Sequence, residues 1–191
     1  MKPQIITILG PSGVGKSTVI LELLRKGNPL RYIQPYTTRA LRPGEFEKIH
    51  LSLDLLLTLH RQGQLLTLQN VFGNWYGTPL SPIMQASAHG LVPIIDWPAD
   101  RLAELKERFP GRVTSVYLAP ASVGALKLRL QDGRDPNGNR LSLALAELEA
   151  VDRGDFQGLI DFFIRTDGTR VAVAARVQAE LRKTFRTARH C

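Results

Sequence analysis

The chain has 191 residues, 43% of them hydrophobic and 22% charged, a composition typical of a globular protein with room for one α/β domain. Lysine and arginine outnumber acidic residues 25 to 17, giving a formal net charge of +8. The basic residues are spread along the chain without a basic run interleaved with aromatics, which argues against nucleic acid and for phosphate-bearing substrates. A single cysteine excludes an internal disulfide, and no apolar run is long enough for a membrane span. With no visible targeting segment, a cytoplasmic location is expected.

The first predicted unit carries a phosphate-binding signature. Residues 4–9 predict a buried parallel strand and residues 18–26 a helix, and GPSGVGKS at 10–17 between them fits G-x-x-x-x-G-K-[ST]. In this context Lys16 would reach the β- and γ-phosphates of ATP, and the Ser17 hydroxyl would bind Mg²⁺. The predicted ATP-binding residues are Gly10, Pro11, Ser12, Gly13, Val14, Gly15, Lys16, Ser17 and Thr18.

Two arginines follow the next predicted strand, which covers residues 30–33. Arg39 and Arg42 lie three residues apart in an irregular or short helical segment bounded by Pro43-Gly44. Such a segment can point both guanidinium groups inward, where each would bind a phosphate through two N–H groups.

The middle of the chain alternates between helix and strand signals. A leucine-rich helix from residue 53 or 54 to 60, with Ser52 as its N-cap, is interpreted as core packing. The other elements predicted here are a strand at 64–68, a tight turn at 72–79 and a helix at 81–89 that ends at Gly90.

Asp96 directly follows another buried strand, predicted at 91–95. In a parallel sheet, ligands bind outside the carboxyl ends of the strands. Asp96 could therefore hold Mg²⁺-bound water or a substrate, or it could instead cap a helix near 99–109.

The remaining elements continue the alternation, which predicts an α/β fold with a mainly parallel sheet and helices on both faces. They are a strand at 113–118, a helix at 122–130, a mobile polar loop at 132–139, a helix at 141–151 preceded by Arg140, a strand at 161–164 and a helix at 171–185. The last helix is predicted to place Val171, Ala174, Val177 or Gln178, Leu181 and Phe185 on a core face.

Four stretches, taken together, resemble the guanylate kinase family across nearly the whole chain. They are GPSGVGKS at 10–17, TTRALRPGE at 37–45, FGNWYGT at 72–78 and RLSLALAEL at 140–148. The resemblance implies a P-loop kinase fold in a single domain, residues 1–191. Its parts would be a core (1–34, 80–127 and 143–191), a small acceptor-binding subdomain (35–79) and a lid (128–142).

The resemblance also implies an activity, which is transfer of the γ-phosphate of ATP to GMP with Mg²⁺. Lys16, Arg129 and Arg140 would be catalytic, and Ser17 and Asp96 would hold the metal, Asp96 through water. The implied acceptor-binding residues are Thr38, Arg39, Arg42, Thr67, Tyr76, Gly77, Thr78 and Asp96. An acceptor phosphate is already an anionic nucleophile, so no general base is needed.

Several positions depart from the family pattern, mostly where guanine would be read. Pro35 stands where the family has a serine, and Thr67 stands where it has the glutamate that binds guanine. The segment after Glu45 is about three residues short and lacks the family's tyrosine, Ile94 replaces the first aspartate of Asp-Ile-Asp, and the lid is shorter.

These departures keep two alternatives open. The ribose 1,5-bisphosphate phosphokinases are similar in the shortened segment and the missing glutamate, although Arg42 and Asp96 follow the guanylate kinase pattern. The other alternative is a guanylate-kinase-like interaction module that has lost catalysis. A domain that has lost catalysis is expected to carry substitutions in the phosphate loop, whereas Lys16 and Ser17 of that motif are both present here.

Overall fold

The computed structural model describes residues 4–131 and 138–187. Strands and helices alternate along much of the chain, as the sequence predicts, although some strands follow one another directly. The strands are β1 (Ile5–Leu9), β2 (Leu30–Tyr32), β3 (Tyr36–Thr37), β4 (Ile49–His50), β5 (Leu65–Val71), β6 (Asn74–Pro79), β7 (Val92–Asp96), β8 (Val113–Ala119) and β9 (Phe162–Arg165). The helices are α1 (Lys16–Arg25), α2 (Leu53–Arg61), α3 (Leu80–Ala88), α4 (Leu102–Arg108), α5 (Val123–Leu130), α6 (Asn139–Arg153) and α7 (Arg170–Thr187), with a 3₁₀ turn at Ala99–Arg101.

The main sheet has five parallel strands in the order β2-β7-β1-β8-β9. Successive side chains of β1 enter opposite core layers: Ile6 and Ile8 pack with α1 and α7, while Ile5 and Leu9 pack with α3 and α4. A strand buried on both faces needs apolar residues at every position, which explains the unbroken run in β1. The predicted parallel sheet with helices on both faces is confirmed.

A second, four-stranded sheet, in the order β4-β3-β6-β5, is built from residues between 36 and 79. Its strands pair antiparallel at β3–β6 and β5–β6 and parallel at β3–β4. This is the range in which the acceptor-binding subdomain is predicted, and the exact division of the chain stays a prediction.

The prediction of a tight turn over 72–79 was wrong. Only Phe72 and Gly73 form the turn, both with positive φ (51° and 79°), and Val71 pairs with Asn74 across it. This is a two-residue β-hairpin, in which the turn requires a residue that tolerates positive φ. Trp75 and the β-forming residues after it continue as β6.

Two burial predictions also need correction. In α2 only Leu56 is buried, whereas Leu53 and Leu55 are 40% and 45% exposed, because the helix covers just the small second sheet. The Ser52 cap is confirmed, since its hydroxyl accepts a hydrogen bond from the Leu55 N–H.

The predicted core face of the last helix was partly wrong. Val171 is 57% exposed in the first turn of α7, whereas Val173 and Ala174 are buried, together with Val177 and Leu181. The side chain of Phe185 and residues 132–137 of the predicted polar loop lie outside the described residues. Within the described residues, no helix combines the length and apolarity needed to cross a membrane.

Candidate active site

The phosphate loop joins the carboxyl end of β1 to α1 and is closely packed. Gly10, Gly13 and Gly15 all have positive φ (130°, 80° and 108°), which glycine adopts without steric cost. A Cβ on Gly10 would lie 2.4 Å from the Leu118 carbonyl oxygen, so only glycine lets the loop pass this close to β8. Packing against β8 at Gly10 and against α5 at Gly13 therefore leaves no room for a side chain at these two positions.

The Lys16 side chain bends back toward the phosphate loop and contacts its carbonyl oxygens. Its Nζ donates hydrogen bonds to the carbonyl oxygens of Gly10 (2.5 Å) and Pro11 (3.2 Å), and its side chain is 16% exposed. The ammonium group is thus held at the mouth of the loop, where an incoming phosphate would replace these carbonyl contacts.

Asp96 is the last residue of β7 and pairs with Ile8 of β1 beside the phosphate loop. Its Oδ1 lies 3.9 Å from Lys16 Nζ. The capping alternative was wrong, because Pro98 precedes the 3₁₀ turn and no side chain caps it. Sheet pairing, rather than helix capping, determines where this carboxylate points.

The residues predicted to hold Mg²⁺ fit that ion chemically. Ser17 lies in the first turn of α1, and both Ser17 and Asp96 line the same cleft. Hydroxyl and carboxylate oxygens are hard ligands, and Mg²⁺ usually keeps several waters while taking one or two protein ligands and the substrate phosphates.

One cleft of about 1330 Å³ runs from the phosphate loop to the second sheet. Most predicted site residues line it, namely Gly10, Ser12, Gly13, Val14, Gly15, Lys16, Ser17, Thr18, Arg39, Arg42, Thr67, Tyr76, Gly77, Thr78, Asp96, Arg129 and Arg140. The predicted site residues Pro11 and Thr38 are not among the lining residues. The Thr38 hydroxyl accepts a hydrogen bond from the Trp75 N–H at 2.9 Å and joins β3 to β6, which indicates a structural role.

The segment at 38–48, the acceptor loop, contains an ion pair that the sequence pattern did not predict. Arg39 Nη2 donates to both carboxylate oxygens of Glu45 (2.5 and 2.7 Å), and Arg39 Nη1 donates to the Ala40 carbonyl at 2.6 Å. Burial alone would raise the pKa of Glu45, but hydrogen bonds from Arg39 and from the Arg42 N–H outweigh it and leave the pKa lowered. Arg39 is therefore already paired with Glu45, and its binding of an acceptor phosphate stays a prediction.

The predicted lid arginines approach the phosphate loop from the other side. Arg129, in the last turn of α5, donates from Nη1 to the Val14 carbonyl at 3.0 Å. Arg140 lies at the start of α6 and lines the cleft. Residues 132–137 of the predicted lid lie outside the described part of the chain.

Glu147 of α6 also lines the cleft and was missed. Burial raises the pKa of its carboxyl, while the nearby Lys16 ammonium and the Tyr117 hydroxyl act to lower it. Among the described residues, Glu147 Oε1 is buried without completing a hydrogen bond. The signal was available, since Glu147 falls two turns after Arg140 within the quoted RLSLALAEL stretch.

The far wall of the cleft is formed by uncharged residues. The buried Thr67 and Thr78 hydroxyl oxygens lie 3.5 Å apart across the β5–β6 pair, and Pro35 and Gln69 line the cleft with them. Gln69, an amide donor and acceptor in this wall, was not among the predicted site residues. A carboxylate that could accept two hydrogen bonds from guanine is absent at position 67.

The parallel sheet and its phosphate loop place the chain among the P-loop phosphotransferases. The solved guanylate kinase of Anaplasma phagocytophilum has this fold, with a TM-score of 0.75 over 95% of this chain and 86% of that one, at 22% identity. The sequence model of the family described as "Guanylate kinase" matches residues 2–162.

Curated relatives agree with that family match. The guanylate kinase of Gluconobacter oxydans is 36% identical over 152 residues (75% of this chain and 72% of that protein). The guanylate kinase of Desulfitobacterium hafniense is 34% identical over 159 residues (80% and 79%). The chain belongs to the guanylate kinase family, and its activity is phosphoryl transfer of the nucleoside monophosphate kinase type.

Proposed function

We propose that this protein transfers the γ-phosphate of Mg–ATP to GMP, producing ADP and GDP. The observation that carries the proposal is the continuous cleft that joins the phosphate loop to the arginines of the acceptor loop. Relatives that share about a third of the sequence over most of their length bear the name guanylate kinase, which favours GMP as the acceptor.

The mechanism follows from the charges that face this cleft. An oxygen of the GMP phosphate forms the new bond to the γ-phosphorus, and the bond to the β–γ bridging oxygen breaks, leaving ADP. When bound between Ser17 and Asp96, Mg²⁺ would neutralise charge on the β- and γ-phosphates. Lys16 stabilises charge on the same oxygens, and Arg129 holds the phosphate loop by its bond to Val14.

The acceptor's phosphate would be held by Arg42, Tyr76 and the Arg39 N–H groups that remain available. No residue has to remove a proton, because the attacking oxygen is already anionic. The work of the protein is therefore positioning and charge neutralisation. ATP and Mg²⁺ as cofactors, and a cytoplasmic location where both are abundant, are part of the same proposal.

One observation favours a second candidate, ribose 1,5-bisphosphate. Thr67 does not provide the carboxylate, and Pro35 does not provide the hydroxyl, that the family uses to hold guanine. Arg39 and Arg42, which are predicted to bind the acceptor's phosphate, are present. A phosphorylated sugar needs these arginines but no residue that binds guanine. The product of this reaction would be 5-phosphoribosyl 1-diphosphate.

Product identification tests the proposal. The protein is incubated with Mg–ATP and GMP, and nucleotides are separated by anion-exchange chromatography. Equal amounts of GDP and ADP are expected. ADP without GDP would mean that water accepts the phosphoryl group. No product with either GMP or ribose 1,5-bisphosphate, from protein that binds ATP, would favour the interaction module.

A further inference from the structure

The Glu45 side chain links two other residues of the acceptor loop through hydrogen bonds. Its carboxylate accepts two hydrogen bonds from Arg39 Nη2 and one, at 2.9 Å, from the Arg42 backbone N–H. Lys48 Nζ lies 3.9 Å away, and the Glu45 side chain is only 9% exposed. One carboxylate therefore contacts or neighbours three cationic residues that line the cleft.

This contact determines how Arg39 can meet a phosphate. A guanidinium group binds an anion through two N–H groups along either of two edges, and Nη2 belongs to both edges. Because Nη2 is bonded to Glu45 and Nη1 to the Ala40 carbonyl, the orientation of Arg39 is fixed by Glu45. Glu45 above all, and the nearby Tyr76 hydroxyl of β6 to a lesser extent, raise the pKa of this guanidinium group.

The position of Arg42 depends on the same carboxylate. The Arg42 N–H donates to Glu45 Oε2, and the Glu45 N–H donates back to the Arg42 carbonyl at 3.0 Å, which closes a turn through Pro43-Gly44. The Arg42 side chain is left exposed at the cleft. Glu45 thus orients the side chain of Arg39 and holds the backbone at Arg42, and neither role requires contact with the acceptor.

We propose that Glu45 is a positioning residue that holds the acceptor loop ready for the acceptor's phosphate and acts through Arg39. The inference rests on the proposed function, because it assumes that the acceptor's phosphate binds at this loop. Ordering the loop before binding removes an entropy cost that the acceptor would otherwise meet. Loss of Glu45 should then weaken acceptor binding far more than the chemical step.

The kinetic test uses Glu45→Gln, which keeps the size of the side chain but removes its charge. The KM for the acceptor should rise about tenfold, the size expected for loss of one charged hydrogen bond, with kcat within about threefold of wild type. Glu107→Gln is the matched control, since it removes the same charge from an exposed position on α4 outside the cleft and leaves the Arg39 pair intact. An acceptor KM that rises equally in both variants would overturn the proposal.

A double-mutant cycle tests whether Glu45 acts through Arg39. The acceptor KM is measured for Arg39→Ala, Glu45→Ala and the double variant. If the two residues act as a unit, the double variant should be no worse than Arg39→Ala. Effects that multiply would show independent roles and overturn the positioning claim.

Hydrogen exchange separates this inference from the proposed function. In the ligand-free protein, the amides of Arg42 and Glu45 should exchange about tenfold faster in Glu45→Gln than in wild type. This result needs no acceptor, so it stands even if GMP is not turned over. Thermal unfolding verifies that the variant is folded, and Glu45→Asp supplies a charged second variant expected to exchange at an intermediate rate. Unchanged exchange in Glu45→Gln would overturn the proposal whatever the acceptor is.

Discussion

Lys16→Ala removes the cation that the proposed mechanism depends on most. The ammonium lies 3.9 Å from Asp96 Oδ1 and is 16% exposed, so it is only partly screened by water. Two unit charges about 4 Å apart interact by about 4 kcal/mol at the effective dielectric constant of such a site. If a phosphoryl oxygen in the transition state lies at a similar distance from Lys16, loss of the Lys16 ammonium should lower kcat about 1000-fold.

The same substitution should cost little stability. Lys16 loses two hydrogen bonds to loop carbonyls, which together contribute about 1–3 kcal/mol, a fraction of the 5–15 kcal/mol typical of a folded domain. The assay couples ADP release to NADH oxidation, and thermal unfolding verifies the fold. Lys26→Ala, which removes an exposed lysine just after α1, is the matched control and should retain activity within twofold. A folded Lys16→Ala protein with more than a tenth of wild-type turnover would refute the assignment.

Three further substitutions test other parts of the account. Gly10→Ala should prevent stable folding or lower the unfolding temperature markedly, because the added Cβ would lie only 2.4 Å from the backbone carbonyl oxygen of Leu118. An unfolding curve like that of wild type would contradict this close approach of the loop to β8. Arg129→Ala should lower kcat about tenfold or more through loss of its charged hydrogen bond to the Val14 carbonyl, measured by ADP release. Glu147→Gln should be more stable than wild type, and by a larger margin at pH 8 than at pH 5. The pKa of this buried carboxyl is raised in the folded state, so the wild type loses stability as the pH rises above the ordinary pKa of a glutamate. Thermal unfolding of both proteins at both pH values measures the margin, and a margin that shrinks at pH 8 would contradict the prediction.

Local patterns predicted the phosphate-binding unit well. The strand, glycine loop and helix are consecutive, and the residue types that the loop needs are dictated by its own backbone. Asp96 could not be assigned from sequence, because its neighbour is set by pairing of β7 with β1, strands that are far apart in the chain. The two-residue hairpin turn at Phe72 could not be predicted, because the nearby Gly73, Asn74 and Gly77 are equally typical of a longer turn.

The missed site residues share a different cause. Glu45 and Glu147 both fall within stretches that resemble the guanylate kinase family, but what a carboxylate contacts depends on loop conformation and helix placement. Glu45 bonds to Arg39 only because the acceptor loop turns back on itself, and Glu147 comes near Lys16 only because α6 lines the same cleft as the phosphate loop. Single-sequence patterns contain neither fact.

The central claim is that this cleft transfers a phosphoryl group from ATP to GMP. The most direct measurement is ADP release with Mg–ATP and GMP, with ribose 1,5-bisphosphate assayed in parallel. The account predicts a higher kcat/KM with GMP, which would mean that residues such as Gln69 and Asp96 suffice to hold guanine without a carboxylate at Thr67. Turnover with the sugar bisphosphate and none with GMP would contradict the proposed acceptor, and no turnover with either would contradict the proposed activity.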